Sequence, residues 1–275
     1  LSAFDAEWLA LREPVDHRSR SARFRDRVAT RFADAHRKQI VDLGAGTGSN
    51  FRYLSPVLGG GQYWLCVDHE PTLLDAIRPV SLAPTGARSD TEIDCLVIDL
   101  ATQMASVELE HRALVTASAL LDLVSEEWLR RLASLCEAAR ATVLFALNYD
   151  GRVRFSPPDA FDGALLERVN EHQHRDKGFG AAAGPQATEC ADRAFAEQGF
   201  EVQVEPSDWR LLAGERQLQH ALIVGLSVAA LEADPEARED IAAWQARRLA
   251  LVDAGSSSIL VGHRDLLAVP CRAHR

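Results

Sequence analysis

Residues 41–50 read VDLGAGTGSN, with Gly44, Gly46 and Gly48 packed behind Asp42 and directly after the apolar run QIVDL. Glycine is costly to order, so a cluster of it implies positive φ, close approach of a ligand, or close packing of two elements. QIVDL predicts a buried strand, and SNFRYLSPVL predicts a helix opened by Ser49 or Asn50 and stopped before Gly59-Gly60-Gly61. A strand, a glycine turn and a helix N-terminus in that order form a cradle of nucleotide size.

The rest of the chain supplies a sheet for that cradle. QYWLCVDH, IDCLVIDL, ALVTASALL and ATVLFALNY predict strands, with PTLLDAIRPV and SEEWLRRLASLCEAAR as helices between them, which is the rhythm of a parallel sheet covered on both faces. After residue 150 comes a long Gly-, Pro- and charge-rich stretch, then the helix PQATECADRAFAEQGF, the strand EVQVEPSDWRL, two helices across 215–253 and the strand SSILVGHRDLLAVP. The fold expected is a doubly wound, mostly parallel sheet of seven strands, Rossmann-like, with a helical and loop insertion after strand five. Residues 1–39 form an N-terminal helical segment, 40–275 the main domain, and 151–184 an inserted lid. FDAEWLALREP and SRSARFRDRVATRFADAHR predict two helices lying across the sheet's carboxyl edge, and the charges of 12–38 predict a solvated helical face.

Charge and cysteine usage narrow the partners. A net charge of −10 argues against a nucleic-acid or membrane-surface binder, both of which need a basic face. The five cysteines, Cys66, Cys95, Cys136, Cys190 and Cys271, lack metal-ligand or disulfide-framework spacing, so neither a metal site nor a disulfide is expected and a reducing cytosol is. No apolar stretch reaches membrane-spanning length. A small-molecule partner and a cytoplasmic protein follow as expectations.

Two cofactor readings compete for the glycine loop. A dinucleotide fingerprint needs its third small residue five positions after the first glycine, where Ser49 stands, and gives no role to Asp42. An NAD(P)-dependent reductase is therefore disfavoured. Asp42-Leu-Gly44-Ala-Gly46-Thr-Gly48 instead resembles the D/E-x-G-x-G-x-G motif of class I S-adenosylmethionine-dependent methyltransferases. That resemblance implies S-adenosyl-L-methionine as cofactor, with Asp42, Gly44, Ala45, Gly46 and Gly48 forming the loop against its methionine portion. It further implies Asp68, with His69 beside it and Glu70 as the less favoured acid, at the ribose hydroxyls, Asp99 and Leu100 at the adenine, and Ala117 under the cofactor. A carboxylate suits a cis-diol because it accepts two hydrogen bonds at once.

The acceptor is less legible. After strand four the chain has ASALLD where base and glutamine methyltransferases often carry Asn/Asp-Pro-Pro-Tyr/Phe, and its one Pro-Cys, Pro270-Cys271, lies in the tail. Nucleic-acid methylation is therefore not expected. NEHQHRDKGFG, residues 170–180, gathers His172, His174, Arg175, Asp176 and Lys177, one of two lysines in the chain. A lid with a histidine as general base, and with Arg175, Asp176 and Lys177 toward the substrate, is expected there. The function expected is methyl transfer to oxygen or nitrogen of a small molecule. A non-catalytic protein that binds S-adenosylmethionine or its demethylated product is the alternative.

Overall fold

The computed structural model describes residues 6–77, 90–109 and 114–271. Strands β1 (Lys38–Leu43), β2 (Gln62–Asp68), β3 (Thr91–Val97), β4 (Leu114–Ser118) and β5 (Thr142–Ser156) pair in parallel, in the order β3-β2-β1-β4-β5. The sheet then continues through β8 (Ser258–Pro270), antiparallel to β5, and β6 (Phe200–Pro206), antiparallel to β8. Register fixes where the loops emerge. Leu43 stands opposite Val67 and Ala117, and Asp68 opposite Val97, so the chain leaves β1, β2, β3 and β4 at one level along the carboxyl edge.

Both faces of the sheet are covered. On one, α2 (Ala22–Arg31), α3 (Ser49–Leu58) and α4 (Pro71–Asp75) bury Phe24, Phe51, Leu54 and Leu74 against Ile40 and Trp64. On the other, α6 (Glu126–Ala138) and α8 (Ala187–Glu197) bury Leu129, Leu132 and Phe195 against Val41, Val115 and Phe145. Side-chain caps start two of these helices: Ser21 Oγ accepts from Phe24 N at 3.1 Å at the head of α2, and Ser125 Oγ from Trp128 N at 3.2 Å at the head of α6.

A third core lies beyond the sheet proper. β5 and β8 run past the other strands as a long antiparallel pair, to which β7 (Trp209–Leu211) adds on β8, and α7 (Asp162–Gln173), α9 (Arg216–Ala233) and α10 (Arg238–Asp253) pack on that extension. Leu165, Val169, Ile223, Ile241 and Trp244 fill it. Arg248 is fully buried there; it donates to Pro157 O at 2.6 Å and to Asp162, and its guanidinium lies 4.5 Å from the centre of the Phe155 ring.

Several expectations shift. Residues 151–156, expected to open the insertion, continue β5 because Gly151 at φ +85° accommodates a register change that keeps Val153–Ser156 paired with β8. EVQVEPSDWRL is two strands, separated where Ser207 N donates to His263 O, so β7 is an eighth strand beside the seven-strand path. α4 ends at Asp75, and residues 78–80 of the helix expected there lie outside the described residues. Of the N-terminal helices, α1 (Ala6–Ser19) runs through Pro14 over the carboxyl edge, whereas α2 lies along the sheet face, with Arg27 paired to Glu201 of β6. The charged face is also only partly solvated: Arg12, Asp16 and Arg20 are buried.

Asp265 of β8 joins these parts. Its Oδ1 accepts from Leu147 N at 2.8 Å, where β5 makes a left-handed kink (φ +56°), and its Oδ2 accepts from Ser21 N at 2.7 Å, between α1 and α2. Asp265→Ala orphans both amides, and each orphaned buried donor costs about 1–3 kcal/mol, so the variant is expected to lose on the order of 3 kcal/mol in urea denaturation at pH 7. A loss under roughly 0.5 kcal/mol would show that the kink and the helix junction do not depend on this carboxylate.

Candidate functional site

The carboxyl edge encloses a cavity of about 680 Å³. Its floor begins at the glycine loop between β1 and α3. Gly44, Gly46 and Gly48 all have positive φ (65°, 53° and 86°), and Gly44 and Gly46 line the cavity. A Cβ on Gly46 would come within 3.1 Å of Leu9 Cδ1, and one on Gly44 within 3.4 Å of Leu120 Cδ1. The bare backbone therefore faces α1 and the loop after β4 as well as open space.

Asp68 fixes this loop. Its Oδ2 accepts from Gly46 N at 2.8 Å and its Oδ1 from Glu70 N at 3.0 Å, which ties the end of β2 to the glycine turn and to the start of α4. Each oxygen keeps a further lone pair. Glu70 also lines the cavity and caps α4 through Thr72 N. His69 lies at the cavity wall, its Nδ1 3.3 Å from Asp68 Oδ1. Asp99 lines the cavity while capping α5 (Leu100–Gln103), accepting from Ala101 N at 2.8 Å; Leu100 lies beside it, and its carbonyl accepts from Trp128 Nε1 at 2.9 Å.

Other residues expected at the cofactor stand one layer back. Asp42 is fully buried below the loop, its Oδ1 accepting from Asn50 Nδ2 at 2.7 Å. Ala45 and Ala117 are buried in the core, and Gly48 opens α3 against Ile77. Among these, Asp42 has an unusual environment. Burial pushes its carboxyl up to about 7, against the pull of the Asn50 hydrogen bond and of the buried Arg20 guanidinium, whose face lies over the Tyr53 ring at 4.3 Å.

α1 roofs the loop. Leu9 and Arg12 line the cavity, Glu13 Oε1 accepts from Arg52 Nε at 2.6 Å, and His17 Nε2 lies 3.0 Å from Ser49 Oγ. Arg12 is itself held by Asp16 at 2.8 Å and stacked over Trp209. Neither Leu9 nor Arg12 is marked by the sequence: the helix is expected over the carboxyl edge, but its pattern does not say which side chains face the cavity.

The far wall is the end of α7 and the loop after it. His172, Arg175, Asp176 and Lys177 all line the cavity, together with Phe179 and Glu232 of α9. His172 is buried, with Nε2 2.8 Å from Glu232 Oε2 and Nδ1 3.3 Å from Lys177 Nζ. Desolvation lowers its pKa below the usual histidine value, against the raising effect of Glu232. His174 departs from expectation. It turns away from the cavity, is exposed, and its Nδ1 lies 3.2 Å from Ala182 O. Glu232 was not legible, since it meets His172 across 60 residues of sequence. Nor was Asp122, buried in the loop after β4 beside Leu123, with its carboxyl pushed up to about 6 by burial while Arg12 and Lys177 pull it down.

The strand order, with one antiparallel strand inserted next to the edge, and the glycine loop after β1 define the class I S-adenosylmethionine-dependent methyltransferase fold. No family model matches the chain, and no curated protein matches it. Solved structures match across most of its length. A cyclopropane synthase of Mycobacterium tuberculosis is 9% identical, with 89% of this chain and 82% of that one covered at a TM-score of 0.49. A protein of Galdieria sulphuraria described as a putative sarcosine dimethylglycine methyltransferase is 12% identical, with 90% and 86% covered at 0.46. A phosphoethanolamine N-methyltransferase of Haemonchus contortus is 15% identical at 0.44, and this chain covers 53% of its length. Such distant likenesses concern the fold alone. Among the described residues no helix is long and apolar enough to cross a membrane.

The buried Asp42 gives a pH signature. A carboxyl whose folded pKa lies above its unfolded value binds its proton more tightly in the folded chain, so it costs stability increasingly as pH rises from about 4 to about 7. Asp42→Asn, which keeps an acceptor for Asn50 and cannot ionise, should therefore gain stability relative to wild type over that interval and hold the gain above it. Denaturant midpoints measured at pH 5, 6, 7 and 8 check this. A difference that does not change with pH would place a fully ionised Asp42 beside Arg20.

Proposed function

We propose that this chain is an S-adenosylmethionine-dependent methyltransferase acting on oxygen or nitrogen of a small molecule. The observation that carries the reading is one cavity lined both by Gly44, Gly46, Asp68 and Asp99 from the strand ends and by the His172–Glu232 pair of α7 and α9. The residues present fit the cofactor: positive-φ glycines leave backbone bare where a methionine portion would lie, and Asp68 keeps lone pairs toward the cavity for ribose hydroxyls. Leu73, Ile98 and Leu100 would bracket the adenine, with Asp99 at its amino group. Asp42, Ala45, Gly48 and Ala117 act from behind, by holding the loop and the strand ends in shape.

When bound, the cofactor supplies an electrophilic methyl on a sulfonium, so the protein's tasks are alignment, exclusion of water and removal of a proton. α1 and the loop after α7 close the cavity from two sides. His172 is suited to the proton. Glu232 holds its Nε2–H side, which leaves Nδ1 as the basic nitrogen in that tautomer, and desolvation keeps the ring neutral near pH 7. The proton of the acceptor's nucleophile passes to Nδ1, and Glu232 offsets the charge gained. His174, bound to Ala182 O outside the cavity, has no part in this reading.

Two outcomes test it. Asp68→Ala should weaken S-adenosylmethionine by on the order of 1.5–3 kcal/mol, the scale of hydrogen bonds to a charged group, in calorimetry on folded protein. Unchanged affinity would remove the cofactor from this edge. For turnover, methyl transfer from labelled cofactor into a small-molecule extract should fall roughly 10²-fold in His172→Ala and stay near wild type in His174→Ala, with cofactor affinity intact in both. Equal rates in wild type and His172→Ala would eliminate the base.

A further inference from the structure

The charges around the cavity divide unequally between the elements that line it. Asp68, Glu70 and Asp99 line it from the ends of β2 and β3, whereas the end of α7 and the loop after it present His172, Arg175 and Lys177. The acidic groups on that wall are engaged. Glu232 accepts from His172, and Asp176 Oδ1 accepts from Gly178 N at 2.7 Å and Gly180 N at 3.0 Å, folding the turn that carries Lys177.

The two cations are differently placed. Lys177 Nζ donates to His172 O at 3.2 Å and lies 3.3 Å from His172 Nδ1. An ammonium has three donors, so one is left over toward the cavity. Arg175 donates through one terminal nitrogen to the backbone carbonyl of Glu232 at 2.9 Å, which orients the guanidinium and leaves the rest of its fork free. Among the described residues, neither cation is ion-paired with a carboxylate. Arg12, the third cation of the lining, is already held by Asp16 and stacked on Trp209. The choice of residue is also uneven. The chain has 30 cationic Lys and Arg residues, of which only Lys38 and Lys177 are lysines, and Lys38 is spent on the carbonyls of Ala35 and Gly60 at the opposite edge.

We infer that the methyl acceptor is a small organic anion, a carboxylate, whose negative group is taken by Lys177 and Arg175 at the far wall of this cavity. This rests on the methyltransferase reading above. A partly desolvated ammonium without a carboxylate partner is costly, and a ligand carboxylate would offset that cost. Burial lowers the Lys177 pKa, with Arg175 acting in the same direction and the more distant Glu232 and Asp122 carboxylates pulling it back up. The same step explains how His172 becomes available. Lys177 lies against the basic Nδ1 of that ring, and drawing the ammonium toward a substrate carboxylate uncovers Nδ1 for the nucleophile's proton.

The test uses full-length protein saturated with S-adenosylhomocysteine and ligand-observed NMR against a matched library of small carboxylates, phosphate monoesters, primary amides and amines of the same skeletons. Binding of S-adenosylhomocysteine itself is measured first by calorimetry, and its absence would count against the methyltransferase reading, on a separate readout. With the cofactor product bound, carboxylates should bind and their amide counterparts should bind at least about 10-fold more weakly. Lys177→Met and Arg175→Gln should each reduce carboxylate binding about 10-fold or more, and Lys177→Arg should stay within a few-fold of wild type. S-adenosylhomocysteine affinity should hold within about twofold in all three, which also reports that they fold. Amides or amines binding as well as carboxylates, phosphate monoesters preferred over them, no carboxylate binding, or full binding in Lys177→Met would each overturn the inference.

Discussion

The carboxylate of Asp68 accepts from two backbone amides that belong to different elements, Gly46 of the glycine turn and Glu70 at the start of α4. Much of the carboxyl edge is built around that pair of bonds. A loop with three left-handed glycines has little conformational preference of its own, and a buried carboxylate accepting its central amide selects one shape for it. Parallel register then does the rest. Because β1, β2 and β4 end at one level, the glycine turn, Asp68 and the loop at Ser118–Leu120 converge on one cavity without any contact between distant parts of the sequence having to be specified separately.

This is why the glycine-loop side of the cavity could be read from the sequence. Each expected residue follows a strand that the apolar pattern announces, and the topology carries strand ends together. The glycines, Asp68, Asp99 and the Ser125 cap all lie within a few residues of such an end. Where the pattern failed, local chemistry was ambiguous. Asp150-Gly151 has the composition of a turn, yet the glycine's positive φ serves a register change within a continuing strand. Pro206-Ser207-Asp208, inside an otherwise alternating run, separates two strands that share β8 as partner.

The wall formed by the end of α7 was legible only as composition. His172, Arg175 and Lys177 stood out as a cluster, but which of them share a wall depends on α7 packing against α9, a contact between helices more than 40 residues apart. Helical spacing alone could not separate His172 from His174. Two residues apart on a helix end, they point in different directions, one to Glu232 and the cavity, the other to the carbonyl of Ala182. Arg12 and Leu9 were hidden for a similar reason: charge on α1 reads as solvation, whereas Arg12 is buried by Asp16 and Trp209. The long β5–β8 pair and its three helices thus form a separate core that positions the wall at the end of α7, while the sheet positions the glycine loop, Asp68 and Asp99.

The central claim is that S-adenosylmethionine binds across the carboxyl edge between these walls. Amide hydrogen exchange with and without the cofactor tests it without knowledge of the acceptor. Slowed exchange is expected at residues 44–48, 68–70 and 99–101, with weaker protection at 175–179. Protection confined to the opposite edge, around the shallow depression lined by Arg37, Lys38 and Gly59–Gly61, or no protection at saturating cofactor, would contradict it.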